Sequence, residues 1–218
     1  MALPSRILDL PGVFAPHALR EAGDAPGFAL AEPGFALAEA VARAPREGAG
    51  TLAWICSAAR AEAAVVLEPE MPLREARLAR LVAGNALIDA LGALGPPEVP
   101  LAWRWPDGLL VNGADCGRLL LAVPPGSAEA AVPEWLVVGF AVTLALPACH
   151  EPGHAPDRTS LAEEGFAGLD AATLTAAWAR HLMAGLDRWA AEGRRRAQAD
   201  FQARLADPGT TSLWPELA

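Results

Sequence analysis

Two stretches of this chain carry residues that could do chemistry. The first, His150-Glu151-Pro152-Gly153-His154, spells the H-E-x-x-H pattern letter for letter, with Cys149 and Asp157 close by as further donors. In a zinc hydrolase an unbroken helix sets the two histidines on one face, at i and i+4, with the glutamate beside them as general base. Proline and glycine fill the intervening positions here, and inside a helix they cost ~3 and ~1 kcal/mol against alanine. The spacing therefore predicts a polar, His-rich loop from Pro147 to Thr159, and no metal site is assigned. The second stretch runs Ala102-Trp103-Arg104-Trp105-Pro106-Asp107-Gly108-Leu109-Leu110-Val111. Arg104 could grip a phosphate, Trp105 could lie against a ring, and Asp107 could meet a hydroxyl or an amine. The same residues also suit a structural turn with Trp105 and Pro106 packed in the core.

Other reactive side chains have weaker settings. His181 falls on the apolar stripe of a helix, and Cys56 lies in an apolar strand where burial keeps a thiol inert. The chain has neither the G-x-S-x-G elbow of serine hydrolases nor a G-x-G-x-x-G loop. All 17 basic residues are arginine. Without lysine there is no Schiff-base enzyme and no phosphate loop ending in Lys-Ser/Thr. Arginine can bind an anion in its place, but it is permanently protonated and cannot serve as a base. The formal charge of −9 excludes a nucleic-acid partner, because phosphate contacts need a basic face. Three widely spaced cysteines give no disulfide framework.

The elements that must position these residues follow from pattern. At 218 residues and 53% hydrophobic, the chain predicts one domain with a buried core. Its longest apolar run, Trp135 to Pro147, is too short for the ~20 residues that span a bilayer, and its start is a poor signal peptide. The expectation is a cytoplasmic protein that needs no membrane. Pro26–Glu32 and Pro33–Glu39 repeat one heptad, Pro-Gly-Phe-Ala-Leu-Ala-Glu, and the second Pro-Gly should interrupt any helix. Thr51 to Cys56 and Ala63 to Leu67 read as a hairpin of buried strands around Ser57–Glu62. A helix is predicted from Pro72 to Leu94, and short strands at 101–104, 109–111 and 119–123. A long, doubly covered strand follows at 135–146. Ser160 with Glu163 forms a capping box. Asp170 caps a last helix with the stripe Leu174, Trp178, His181, Leu182, Gly185, Leu186 and Trp189, and the arginines at 194–196 form a solvated surface. The fold class is α/β or α+β, a mixed sheet with flanking helices.

Arg104-Trp105-Pro106-Asp107 resembles the K-W-P-N-D-L motif of the biotin and lipoate protein ligase catalytic domain. Gly50-Thr51-Leu52 is similar to the G-T-V strand opening that family's sheet, and Val137 to Thr143 resembles its V-I-G-x-G-I-N strand, with Gly139 at the glycine. Leu169 to Leu186, followed by Glu192-Gly193, is similar to its closing helix. The resemblance covers residues 20–205, with 1–19 as a lead-in and 206–218 as a tail. It implies the class II synthetase-like fold, binding of biotin or lipoate with ATP and Mg2+, an acyl-adenylate, and transfer to a carrier-protein lysine.

By the same resemblance, Arg60, Arg104, Trp105, Asp107, Gly108 and Gly139 would contact the cofactor, and Arg118 would be catalytic. The departures are specific. The Arg- and Gly-rich closing loop is reduced to Ser57–Glu62, and the second lysine falls at Asp115 or Cys116. The glycine after it is Arg118, the late asparagine is Thr143, and the D-S-T-N region is Glu21–Asp24. Two readings stay open: an ATP-dependent ligase, and a noncatalytic protein, or pseudoenzyme, that binds a cofactor or a carrier on the same fold.

Overall fold

The expected apolar hairpin forms the middle of a seven-stranded sheet. The computed structural model describes residues 8–20, 34–146 and 157–207. In chain order the strands are β1 (Ala15–Arg20), β2 (Thr51–Cys56), β3 (Arg60–Leu67), β4 (Leu101–Arg104), β5 (Gly108–Val111), β6 (Ala114–Ala122) and β7 (Leu136–Thr143). They lie in the order β1-β2-β3-β7-β6-β5-β4. β1 runs parallel to β2, and every other neighbour is antiparallel. No strand pattern announces β1, which begins with alanine and proline. β3 begins at Arg60 rather than Ala63, which draws Arg60 and Glu62 out of the hairpin loop and into the sheet. β5 and β6 meet at Asn112-Gly113, both with positive φ, the backbone a tight two-residue hairpin requires.

Helices cover both faces, so β7 is apolar along its length, as a doubly covered strand should be. On one face lie α3 (Ala79–Leu94), α4 (Ala171–Glu192) and α5 (Arg194–Gln202), around a core that includes Trp103, Phe140, Trp178 and Phe201. Trp103 stacks on Phe201 at 5.7 Å, and Phe140 meets Trp178 edge-on at 5.0 Å. Asp170 caps α4 by accepting from Thr173 N at 2.8 Å. The helix expected from Pro72 is divided. α2 (Leu73–Ala76) ends in a tight turn, where Leu78 N donates to Glu75 O and Arg80 N to Arg77 O, the i to i+3 spacing of a narrower helix. The arginines at 194–196 are exposed as expected, but they start a further helix, α5, whose Phe201 is buried.

Among the described residues, the other face carries a single helix, α1 (Phe35–Glu47). It buries Ala36, Ala40 and Ala44, one per turn, against Ala53, Ile55, Ala64, Val66 and Val137. The second copy of the heptad supplies this helix, and Gly34 of its Pro-Gly is the residue just before it. The first copy, Glu21–Asp24 and the His150–His154 motif lie outside the described residues.

Candidate functional site

Past the N-terminal end of α1, one row of paired residues crosses the sheet. Glu62 on β3 pairs with Ala141 on β7, which pairs with Arg118 on β6; Arg118 pairs with Gly108 on β5, which pairs with Arg104 on β4. Paired residues share a face, and neighbouring strands stand about 4.8 Å apart. Arg118 is therefore about 10 Å along the sheet from both Glu62 and Arg104. Arg60, two residues before Glu62, lies on the same side.

A β-bulge creates this arrangement. Asp115 and Arg118 are three positions apart, and in a regular strand they would point to opposite faces. The pairing shifts between Leu109 and Leu110: Leu110 opposes Asp115, Leu109 opposes Gly117, and Cys116 is the extra residue. A bulge re-aims the side chains that follow it, so Asp115 and Arg118 both join the face of Arg104. Cys116 goes into the core on the other side. Burial, then Asp115 and Glu164 nearby, pushes its thiol up to about 12.

Arg104 is held in place. Its guanidinium forms an ion pair and hydrogen bond with the Asp115 carboxylate. To reach β6 it passes over Gly108: a methyl group at Gly108 would lie 3.1 Å from Arg104 Nη2. The glycine thus clears a path across β5. Arg118 is exposed and has no hydrogen-bond or ion-pair partner among the described residues.

At the far end of the row, Glu62 is 0% exposed. Its Oε1 accepts from Gly34 N at 3.0 Å and Ala36 N at 2.7 Å, so a carboxylate already occupies the N-terminal end of α1, where helical N–H groups favour negative charge. Its Oε2 is buried without a hydrogen-bond partner. Burial raises the acid's pKa, and the α1 backbone bonds and the charge of Arg60 oppose that rise. Arg60 itself stands over the Phe35 ring at 5.4 Å.

The remaining candidates are distributed differently. Trp105 does not join the row: it packs against the helix-side core, with Arg80 of α3 over its ring at 5.6 Å. Asp107 sits in the β4–β5 turn, its carbonyl accepting from Leu119 N at 2.8 Å. Gly139 lies inside the sheet, where a methyl group would come within 2.3 Å of Ala63 O, so it allows β3 and β7 to approach closely. The sequence reading passed over two features, the buried Glu62 and the pairing of Asp115 with Arg104. The first had a signal, since alternation from Ala64 back through Glu62 to Arg60 continues β3's inward face. Among the described residues no group of three or more His, Cys, Asp and Glu could hold a metal ion, and no helix is long and apolar enough to cross a membrane.

Known proteins share this sheet with its flanking helices. Residues 26–203 match the model of the biotin/lipoate A/B protein ligase family, and the chain belongs to that family. It is 32% identical over 163 residues to a biotin–[acetyl-CoA-carboxylase] ligase of Paracoccus denitrificans, a match spanning 71% of this chain and 65% of that protein. A biotin protein ligase-like protein of unknown function from a Silicibacter species has the same fold, with a TM-score of 0.76 and 31% identity over 92% of this chain and 81% of that one. The Aquifex aeolicus biotin protein ligase in complex with biotin and ATP shares the fold at a TM-score of 0.56 and 15% identity, covering 72% of this chain and 69% of that one.

Proposed function

We propose that this protein uses the family cleft to bind a small acyl acid, or the acylated carrier domain that bears it, without activating the acid as an adenylate. The observation that carries this reading is the Arg104–Asp115 pair. A nucleotide triphosphate needs cations free to meet its phosphates, and electrostatic stabilisation is a large part of adenylyl and phosphoryl transfer, with one lost donor worth ~2.7 to 4 kcal/mol. Arg104 is neutralised by Asp115, the end of α1 is filled by Glu62, and only Ser57–Ala59 join β2 to β3. ATP with Mg2+ does not fit this charge arrangement. Biotin or lipoate fits better, because Ala141, Gly108, Leu110 and Leu120 give the row a buried, apolar floor, while Arg118 is placed to meet one carboxylate.

A second reading, an ATP-dependent biotin or lipoate ligase, is favoured by the unpaired Arg118 and by the likeness to the Paracoccus ligase. Pyrophosphate exchange with biotin, lipoate and octanoate separates the two. The binding reading expects no exchange, together with a thermal shift from biotin or lipoate that disappears in Arg118→Ala. Exchange that depends on Arg118 would establish the ligase. Neither exchange nor any thermal shift would remove both.

A further inference from the structure

A second cleft opens on the opposite side of the sheet, between α3, α4 and α5. It holds about 50 Å3 of enclosed space and opens to solvent. Small residues leave that space: Ala86 on α3, Ala184 and Gly185 on α4, and Ala197 on α5. Gly185 also brings α4 against α3, since a methyl group there would stand 2.8 Å from Val82 Cγ1. His181, Arg188 and Trp189 of α4 complete one wall; His181 and Trp189 are half-buried.

The polar groups of this cleft are fixed in a way that leaves one cation over. Arg204 donates to Asn85 O at 2.8 Å and to Asp89 Oδ1 at 2.6 Å, and Asn85 Nδ2 donates to Ala197 O at 3.2 Å. Arg196 is paired with Asp200 at 3.0 Å. Three guanidinium groups and two carboxylates line the cleft, so Arg188 is the one without a carboxylate. It has no hydrogen-bond or ion-pair partner among the described residues. An exposed guanidinium fork and an indole lining one cleft, with the other guanidinium groups already paired, suit a ligand with one carboxylate and a flat or aliphatic apolar body. A phosphate ester would bring a second negative charge against Asp89 and Asp200.

We propose that the α3–α4–α5 cleft is a binding site for a small monocarboxylic acid, gripped by Arg188 and packed on Trp189, separate from the family cleft. Benzoate and octanoate, titrated into the full chain and followed by Trp fluorescence and ligand-observed NMR, test it. The expected result is saturable binding that weakens at least about tenfold in Arg188→Ala, as loss of a charge-assisted hydrogen bond should produce. Ala184→Trp, an exposed position, should block the cleft, and Arg118→Ala should leave this binding event in place. With the family cleft disabled by Arg118→Ala, absence of saturable binding, binding that survives the further change Arg188→Ala, or inorganic phosphate binding more tightly than either acid would each overturn the proposal. Because Arg118→Ala removes acid binding only at the family cleft, failure of one site is distinguishable from failure of the other.

Discussion

Replacing Asp115 with alanine should turn the sheet cleft towards anions, and the size of the change can be worked from the Arg104–Asp115 pair. Both side chains are well exposed, at 56% and 37%. Pairs of this kind contribute about 0.2–1 kcal/mol to stability, which in a domain of this size moves Tm by no more than about 4 °C. The effect on binding is larger. Alanine removes one negative charge and frees one positive charge at the same spot. At 4 Å a unit charge pair is worth about 1 kcal/mol in water and about 4 kcal/mol near a protein surface. Exposure puts this site towards the lower figure, so affinity for pyrophosphate should rise about fivefold in Asp115→Ala. Asp115→Lys adds a further charge, and about thirtyfold is expected from doubling that energy. Calorimetric titration of pyrophosphate at low and moderate salt measures both, and the gain should shrink as salt screens it. If the two variants remain folded by circular dichroism and bind pyrophosphate no better than the parent chain, Arg104 is not the group that Asp115 silences, and the charge argument for a non-activating cleft fails.

Two further outcomes follow from buried titrating groups. Glu62 has its pKa raised in the folded chain, so its ionised form is disfavoured there. Its contribution to stability is full at low pH and declines as pH climbs from the ordinary carboxylate value through the raised one. Urea unfolding of the parent and of Glu62→Gln across this range should show the parent losing ground to the variant as pH rises; a constant gap would contradict the assignment. Cys116, with its thiol pushed up to about 12, holds only about one part in ten thousand as thiolate at pH 8. Iodoacetamide should therefore label half-exposed Cys56 in the native protein and reach Cys116 only after denaturation, as peptide mapping would show.

The sheet's middle was legible because its strands obey simple patterns, apolar runs at 51–56 and 135–146; β6, expected only from Leu119, begins at Ala114 directly after Asn112-Gly113. The helices at 79–94 and 171–192 were legible from their spacing and, for the latter, from the Asp170 cap. The site was less so. Arg104, Gly108 and Arg118 stand out by type, but their meeting on one face depends on the bulge at Cys116, which no local preference announces. β1 and α5 were missed for a related reason. Ala15–Arg20 begins with alanine and proline and alternates weakly, and α5 is polar over most of its surface; both are held by what they dock onto. Trp105 shows the converse, a residue whose type suggested ring stacking but whose ring is taken by Arg80 and the α3 side of the core.

The chain's passage beyond α5 has a practical side. Trp103 N donates to Arg204 O at 2.7 Å, Ala206 N donates to Trp103 O at 2.9 Å, and Leu205 forms a parallel bridge to Trp103. These few residues act as a cover strip along β4, the last strand of the sheet. A bare strand edge recruits other edges and leads to aggregation. Cutting the chain before Arg204 would strip that cover while leaving every residue of the row from Glu62 to Arg104 present, so a shortened protein could keep that row whole and still precipitate. A purification tag is better tolerated after Asp207 than in place of what precedes it.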